Sequence, residues 1–349
     1  MDHIQPVSSK YEIITTIGKG AYGEVYKSKE IETSAIVAMK KILMKNQKNG
    51  FPSNAIREIR LLKSLDHRNI IRLRNVITCG EKRDVYLVFD YCPFDLKGLI
   101  YRNASDTSSL SLKQIKCYMR QMILGIFYCH HRYIIHRDIK PDNILINIYN
   151  EVKIADFGLA RIFYPKPEDK NPESEPWNVI TLHYRPPELL LGAKEYGPEI
   201  DVWSLACTFY EMITSKILFR PKNNKEEDQL IAIFEIMGIP TNYSWPDHHK
   251  LQFYKPEMFS SQRVVRKADS LEDHLLKTLP TEFHDSISLF QKMLEFDPKK
   301  RCTSKEVFLH PFLSSPNRIY EPENLEPLHI EDQHSNVVIE RLMKMEINK

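Results

Sequence analysis

None of the six cysteines (Cys79, Cys92, Cys117, Cys129, Cys207 and Cys302) stands in a C-x-x-C pair. Scattered single thiols suit a reducing compartment and exclude a disulfide framework or a cysteine zinc site. The sequence also lacks net charge. Its 49 Lys+Arg against 46 Asp+Glu leave +3 over 349 residues, so composition gives no case for bulk binding to nucleic acid or membrane. No apolar run is long enough to span a bilayer. The opening Met1-Asp2-His3-Ile4-Gln5-Pro6 has no apolar signal core, so a soluble intracellular protein is expected. Internal repeats and long low-complexity segments are missing too. What is present is an ordinary globular composition, 42% hydrophobic and 27% charged, long enough for two domains or a two-lobed one.

The most informative stretch is Ile135-His136-Arg137-Asp138-Ile139-Lys140-Pro141-Asp142-Asn143, followed by Asp156-Phe157-Gly158. Asp138 can accept the proton of a substrate hydroxyl. Asn143 and Asp156 offer the hard oxygen ligands that magnesium prefers. Lys140 is placed to neutralise charge on a transferred phosphoryl group. Ile144-Leu145-Ile146 and Val152-Lys153-Ile154 read as a hairpin with Asn143 and Asp156 at opposite ends of adjacent strands. A lone tripeptide recurs by chance, but these motifs in this order and at this spacing do not.

Upstream, Tyr11 to Lys27 reads as strand, glycine turn and strand, the turn being Gly18-Lys19-Gly20-Ala21-Tyr22-Gly23. Its backbone N–H groups can approach phosphates closely. A dinucleotide-binding turn has the same spacing but needs a helix directly after it. Here Glu24-Val25-Tyr26-Lys27 continues as strand, which rejects the dehydrogenase reading. Ile36-Val37-Ala38-Met39-Lys40 is a buried-looking strand ending in a lysine. Ala55, Ile56, Ile59, Leu62 and Leu65 follow helical spacing after Pro52 and Ser53, and Glu58 rides on that helix. Asp84 to Asp90 is a strand leading through Tyr91, Cys92 and Pro93 into a connector. Tyr118, Met122 and Ile126, with Met119, Ile123 and Phe127, stripe one long helix. His130, His131 and His136 have no metal-ligand spacing. After Ser314 the chain turns polar and proline-containing and is expected along the surface, with one short amphipathic helix over Val337 to Met345.

From Tyr11 to Phe312 the sequence resembles a protein kinase of the cyclin-dependent family. Beside the motifs above, Phe51-Pro52-Ser53-Asn54-Ala55-Ile56-Arg57-Glu58 is similar to the family's cyclin-contacting helix, and Thr181-Leu182-His183-Tyr184-Arg185-Pro186-Pro187-Glu188 to the segment closing its activation loop. Asp201-Val202-Trp203-Ser204, an Arg301 to Glu188 ion pair and the insert from Ser215 to Asp269 fit the same resemblance. It implies an α+β, bilobal fold: a small β-rich N-lobe with one helix (1–90), a larger mostly helical C-lobe (91–313) and an extension (314–349), with ATP in the cleft. Ile17, Gly18, Lys19, Gly20, Ala21, Tyr22, Gly23, Val25, Ala38, Lys40, Glu58, Phe89, Asp90 and Cys92 would then surround ATP. Asn143 and Asp156 would hold Mg2+, and Asp138, Lys140 and Asn143 would serve catalysis. A cyclin would bind at the Asn54–Leu62 helix. Val179-Ile180-Thr181 with Arg185 would favour proline after the target serine or threonine. Lys140 marks a serine/threonine rather than a tyrosine kinase.

Asp66-His67-Arg68-Asn69-Ile70 and Arg185-Pro186-Pro187-Glu188-Leu189-Leu190-Leu191-Gly192 resemble the transcriptional branch, whose members include kinases of the C-terminal repeats of RNA polymerase II. That implies a nuclear protein, with the cytoplasm as a second location. Ser53 to Glu58 is closer to the cell-cycle branch, which stays the alternative. Three departures stand out. Pro176 falls where the family's activating threonine is expected, although the arginines that would grip its phosphate are matched by Arg57, Arg137 and Arg161. Glu175, or a phosphorylated Ser174, could supply the anion. His183 stands where tryptophan is usual, and Ala21 leaves Tyr22 alone for inhibitory phosphorylation. Rival readings are a non-catalytic kinase-fold scaffold, which should have lost Lys40, Asp138 or Asp156, and a kinase that needs no cyclin because Glu175 replaces the phosphate.

Overall fold

The computed structural model describes residues 5–6, 9–20, 23–42, 52–79, 84–102, 110–163, 180–259, 270–315, 319–328 and 334. Two compact units divide the chain, one built mainly on strands and the other on helices, giving the α+β class expected.

The first unit takes Met1–Ala104, Asp142–Leu159 and Glu326–Lys349. Strands β1 (Gln5–Pro6), β2 (Tyr11–Gly20), β3 (Gly23–Glu30), β4 (Ile36–Ile42), β5 (Leu73–Cys79) and β6 (Asp84–Asp90) form one antiparallel sheet in the order β1-β2-β3-β4-β6-β5. Alternation along the strands sorts the side chains. Tyr11, Val37, Met39, Tyr86 and Val88 bury a core on one face. The register sets Val25 opposite Lys40 and Ala38 opposite Phe89 on the other. The glycine loop bends from strand to strand as expected, with Gly20 facing Gly23. Gly23 has φ +151°, and a Cβ there would lie 2.0 Å from the Lys41 carbonyl oxygen, so no side chain fits.

Helix α1 (Ser53–Ser64) starts after Pro52, whose carbonyl accepts from the Ala55 and Ile56 amides without any side-chain cap. Its buried face carries Ala55, Glu58, Leu61 and Leu62, while Ile56 is 39% exposed and Leu65 lies past the end. The helical spacing was right, but the inward face is turned to bring a glutamate inside. Further along, β7 (Phe94–Asp95) and α2 (Leu96–Ile100) precede a three-stranded sheet in which β9 (Ile144–Ile146) pairs with both β7 and β10 (Val152–Ile154). The Asn69 side chain donates to the Val152 carbonyl (3.0 Å), and the Ile154 amide donates back to the Asn69 carbonyl (2.9 Å). These pairings draw Asp142–Leu159 into this unit, which therefore extends well past residue 90.

The second unit takes Ser105–Pro141 and Ala160–Leu325. Its helices are α3 (Leu112–His131), α4 (Pro187–Leu190), α5 (Glu199–Thr214), α6 (Glu226–Met237), α7 (Pro256–Phe259), α8 (Leu271–Thr278), α9 (Ile287–Met293), α10 (Ser304–Leu309) and α11 (Pro311–Ser314). The α3 stripe of Tyr118, Met119, Met122, Ile123 and Ile126 is fully buried. Reciprocal capping boxes start α3 (Ser111 with Gln114), α8 (Ser270 with Asp273) and α10 (Thr303 with Glu306). A two-stranded pair joins β8 (Ile134–Ile135) to β11 (Arg161–Ile162). The ion pair of Arg301 with Glu188 forms through Nη1 and Nη2, at 2.7 and 2.9 Å.

Beyond Ser314, Glu321 pairs with Arg120 at 3.2 Å in the second unit. In the first, the Glu326 carbonyl accepts from the Asn150 side chain and the Leu328 amide donates to the Ile148 carbonyl, both at 2.8 Å, clasping the β9–β10 turn. The helix expected over Val337 to Met345 lies outside the described residues. Among the described residues no helix is long and apolar enough to cross a membrane.

Candidate active site

In the first unit, β4 carries Lys40 with a half-buried side chain, and α1 turns Glu58 toward it. Lys40 Nζ donates to Glu58 Oε1 at 2.9 Å and to Asp156 Oδ1 at 3.0 Å. Burial alone would depress the lysine, yet the charges of Asp156 and Glu58 outweigh it and push the ammonium pKa above its ordinary value. Burial pushes the Glu58 carboxyl upward against the Lys40 charge, and Asp156 adds to that rise. One cation thus serves two carboxylates, so the cluster retains a net negative charge.

Asp156 follows β10 in the left-handed region at φ +62°, a conformation aspartate tolerates better than most residues. The antiparallel hairpin sets the start of β9 against the end of β10, and the Ala155 amide donates to the Asn143 carbonyl at 2.9 Å. Asn143 and Asp156 therefore share one end of that hairpin. Phe157 is fully buried behind Asp156. At Gly158 a Cβ would come within 3.3 Å of Asp156 Oδ1, so glycine leaves that carboxylate its room. An amide oxygen and a carboxylate form a donor set that suits Mg2+, which needs only one or two protein oxygens when phosphate supplies others.

Of the remaining expected nucleotide contacts, Ile17, Gly18, Lys19, Gly20, Gly23, Val25, Ala38, Phe89 and Asp90 lie on the same sheet. Gly18 pairs with Val25, Val25 with Lys40, and Ala38 with Phe89. Ile17, Lys19 and Gly20 lie on β2, while Ala21 and Tyr22 fall outside the described residues. The Asp90 carboxylate is engaged by Arg74 at 2.5 Å. Cys92 is buried, and burial pushes its thiol up to about 12, which keeps it protonated and unreactive at neutral pH.

In the second unit, Asp138 and Lys140 meet directly, Lys140 Nζ donating to Asp138 Oδ2 at 2.7 Å. Thr181 completes a triangle. Its hydroxyl donates to Asp138 Oδ1 and accepts from Lys140 Nζ, both at 2.8 Å. The loop bearing Asp138 hangs on Asp201, which is fully buried on α5. The amides of Arg137 and His136 donate to its two oxygens at 2.9 Å each, and His130 Nε2 lies 2.9 Å from Oδ2. Burial would raise the Asp201 pKa, but the His130 hydrogen bond, the histidine charges and the His136 amide hold it below the ordinary carboxylate value. His136 Nδ1 in turn accepts from the Asp138 amide at 3.2 Å.

Two positions near this loop, Arg137 and Ile180, adopt the left-handed backbone region. Arg137 sits at φ +67°, almost fully buried, and donates to the Tyr196 hydroxyl at 2.6 Å. Arg161 lies opposite Ile135 in the β8–β11 pair, which brings it near Arg137 along the backbone. Arg57 belongs to the first unit, and Ser174, Glu175 and Pro176 lie outside the described residues. Ile180 has φ +65°, a rare conformation for a β-branched residue. Its carbonyl accepts from both Nε (3.1 Å) and Nη2 (2.9 Å) of Arg185.

A lysine held by a helix glutamate and an aspartate after the hairpin, in the same chain as an Asp–Lys–Thr triangle, agrees with a family model. The model for the protein kinase domain matches residues 11–313. The chain belongs to the protein kinase family. It is 41% identical over 314 residues to a rice (Oryza sativa subsp. japonica) protein named cyclin-dependent kinase C-2, covering 85% of this chain and 57% of that one. Arabidopsis thaliana proteins of the names cyclin-dependent kinase C-2 and C-1 are each 41% identical, over 310 and 313 residues, with 85% of this chain covered in both. The kinase thus spans somewhat more than half the length of these curated relatives, 57–58%.

Sequence reasoning missed the part Thr181 plays in the triangle, and the anchoring by His130 and Tyr196. No local spacing signals them, since each partner is more than 40 residues away in sequence. Of the three histidines without metal-ligand spacing, His130 bonds to the anchor Asp201 and His136 accepts from the Asp138 amide, while His131 packs near Phe127. Among the described residues no group of three or more His, Cys, Asp and Glu is arranged to hold a metal.

Proposed function

We propose that this protein is a cyclin-dependent serine/threonine kinase that transfers the γ-phosphate of ATP to serine or threonine followed by proline. The triangle of Asp138, Lys140 and Thr181 carries this reading. A carboxylate flanked by a hydroxyl and an ammonium group can orient a substrate hydroxyl, take its proton as its oxygen attacks the γ-phosphorus, and have the growing charge neutralised by Lys140. The bond from γ-phosphorus to the bridging oxygen breaks, and ADP leaves. Lys40, oriented by Glu58, would pair with the α- and β-phosphates. Asn143 and Asp156 would hold Mg2+, which screens phosphate charge.

The proline preference is supported by the Ile180 carbonyl, whose acceptor capacity is taken by Arg185. A substrate residue with an N–H at that place would meet no acceptor, and proline has no N–H to lose. Exposed Ile56 beside inward Glu58 on α1 supports a cyclin as partner. The names of the plant relatives accord with that dependence. The heptad repeats of RNA polymerase II are the proposed substrate and the nucleus the proposed location, on the likeness of residues 66–70 and 185–192 to the transcriptional branch.

The test is transfer from labelled ATP to a heptad-repeat peptide and to a histone-type peptide, with and without cyclin, beside Asp138→Asn. Cyclin-dependent labelling of the repeats, lost in the variant, is expected. Preference for the histone-type peptide would move the protein to the cell-cycle branch. No labelling of either would make it a scaffold.

A further inference from the structure

We infer that Glu226 is a positioning residue that sets how strictly the kinase demands proline after its target. This rests on the proline-directed reading above, and concerns a residue well away in sequence from the motifs that carry it.

A guanidinium has five N–H donors in a fixed plane. In Arg185, Nε and Nη2 both go to the Ile180 carbonyl. Nothing in those two bonds alone fixes the far edge of the group. Glu226 does so: its Oε1 takes Nη1 at 2.5 Å. Arg185 comes from the turn before α4, whereas Glu226 lies in the first turn of α6, 41 residues on. The pair thus ties two elements together and sets where the far edge of the guanidinium rests. A carboxylate in the first turn of a helix is also favoured by the helix dipole.

The arginine needs that partner. Its side chain is 10% exposed, and burial draws its pKa below the ordinary value while the Glu226 charge opposes the fall. Without Glu226 a buried cation is undercompensated, and its low-energy course is to swing toward water. That movement would release the Ile180 carbonyl. The peptide that carries this carbonyl is held from its other side, where the Thr181 amide donates to Asp138 Oδ1 at 3.3 Å, so the oxygen would still point where it does, now with acceptor capacity to spare. Any residue following the target could then donate its N–H there. The discrimination lost is that of about one net hydrogen bond, a roughly three- to tenfold factor in rate.

The experiment compares kcat/KM for three peptides that differ only in the residue after the target serine: proline, alanine and N-methylalanine. The full chain with its cyclin is used as wild type, Glu226→Ala, Glu226→Gln and, as a control, Glu227→Ala, whose exposed carboxylate pairs with Lys255. In wild type, proline and N-methylalanine should be accepted and alanine refused. In Glu226→Ala the proline-to-alanine ratio should fall about three- to tenfold, the worth of one net hydrogen bond, with the alanine peptide gaining. Glu226→Gln, which keeps an acceptor for Nη1 without the charge, should fall between, and Glu227→Ala should match wild type. A merely structural Glu226 would lower all three rates together and leave the ratio alone; an unchanged ratio in both Glu226 variants overturns the inference. Should Glu226→Ala not fold, the Gln variant reads the same ratio. A wild type that treats proline and alanine alike instead overturns the proline-directed reading itself, and this inference with it.

Discussion

Replacing Asp201 with asparagine tests whether the catalytic loop depends on a buried charge. Two carboxylate oxygens receive three groups there, the amides of His136 and Arg137 and the ring of His130. Asparagine keeps the shape but offers one oxygen and one NH2. Whichever way the amide is turned, its NH2 faces a buried backbone N–H, donor against donor. One orphaned buried donor costs about 1–3 kcal/mol, and loss of charge assistance on the bond that survives adds about 1 kcal/mol more. The expected destabilisation is therefore about 2–4 kcal/mol, read as a shift in urea midpoint at constant slope. The pH dependence follows from the depressed Asp201 pKa. A carboxyl whose folded pKa lies below its unfolded value contributes stability above the unfolded pKa and loses it as pH falls through the folded one. The gap between wild type and Asp201→Asn should hold steady from neutral pH to about 5 and narrow only below about 4, where aspartate ordinarily titrates. Activity should fall with stability restored by cooling, because the displaced backbone carries Asp138. A destabilisation under about 1 kcal/mol at pH 7, or a gap that widens on acidification, would refute the reasoning.

Thr181→Ala removes the hydroxyl that joins Asp138 to Lys140, and kcat on a peptide substrate should drop about 10- to 100-fold with the KM for ATP unchanged; an equal rise in KM for ATP would contradict the assignment. Arg301→Met strands the buried Glu188 carboxylate, at a cost of about 3–5 kcal/mol in chemical denaturation, whereas the double replacement Arg301→Met with Glu188→Leu should recover most of it. Lys40→Met leaves Glu58 and Asp156 without their shared cation. Since Glu58 already has a raised pKa, its stability contribution is greater at low pH and lost as pH rises through that value, so this variant should gain stability relative to wild type as pH falls from 7 toward 5. Thermal melts across that range check the sign.

The difference between what could and could not be read in the sequence follows the range of the interactions. The hairpin that sets Asn143 beside Asp156 needs only two short β-prone runs and a turn, all within 14 residues of chain, and pairs as its pattern suggests. The glycine turn is equally local, because Gly23 has no alternative where the Lys41 carbonyl approaches. The inward face of α1 was harder. Apolar spacing alone favours Ile56, but a charge partner 18 residues earlier pays for burying Glu58 and rotates the stripe. Hardest are groups whose function exists only after folding: Thr181 is an unremarkable threonine until it meets Asp138, and Asp201 is one acid among 46 until two amides and a histidine converge on it. Family likeness pointed to Asp201 and to Arg301 with Glu188, but no periodicity or spacing could have. In each of these cases the buried charge is stable only because distant donors arrive together, so the information lies in the tertiary fold rather than in any window of the chain.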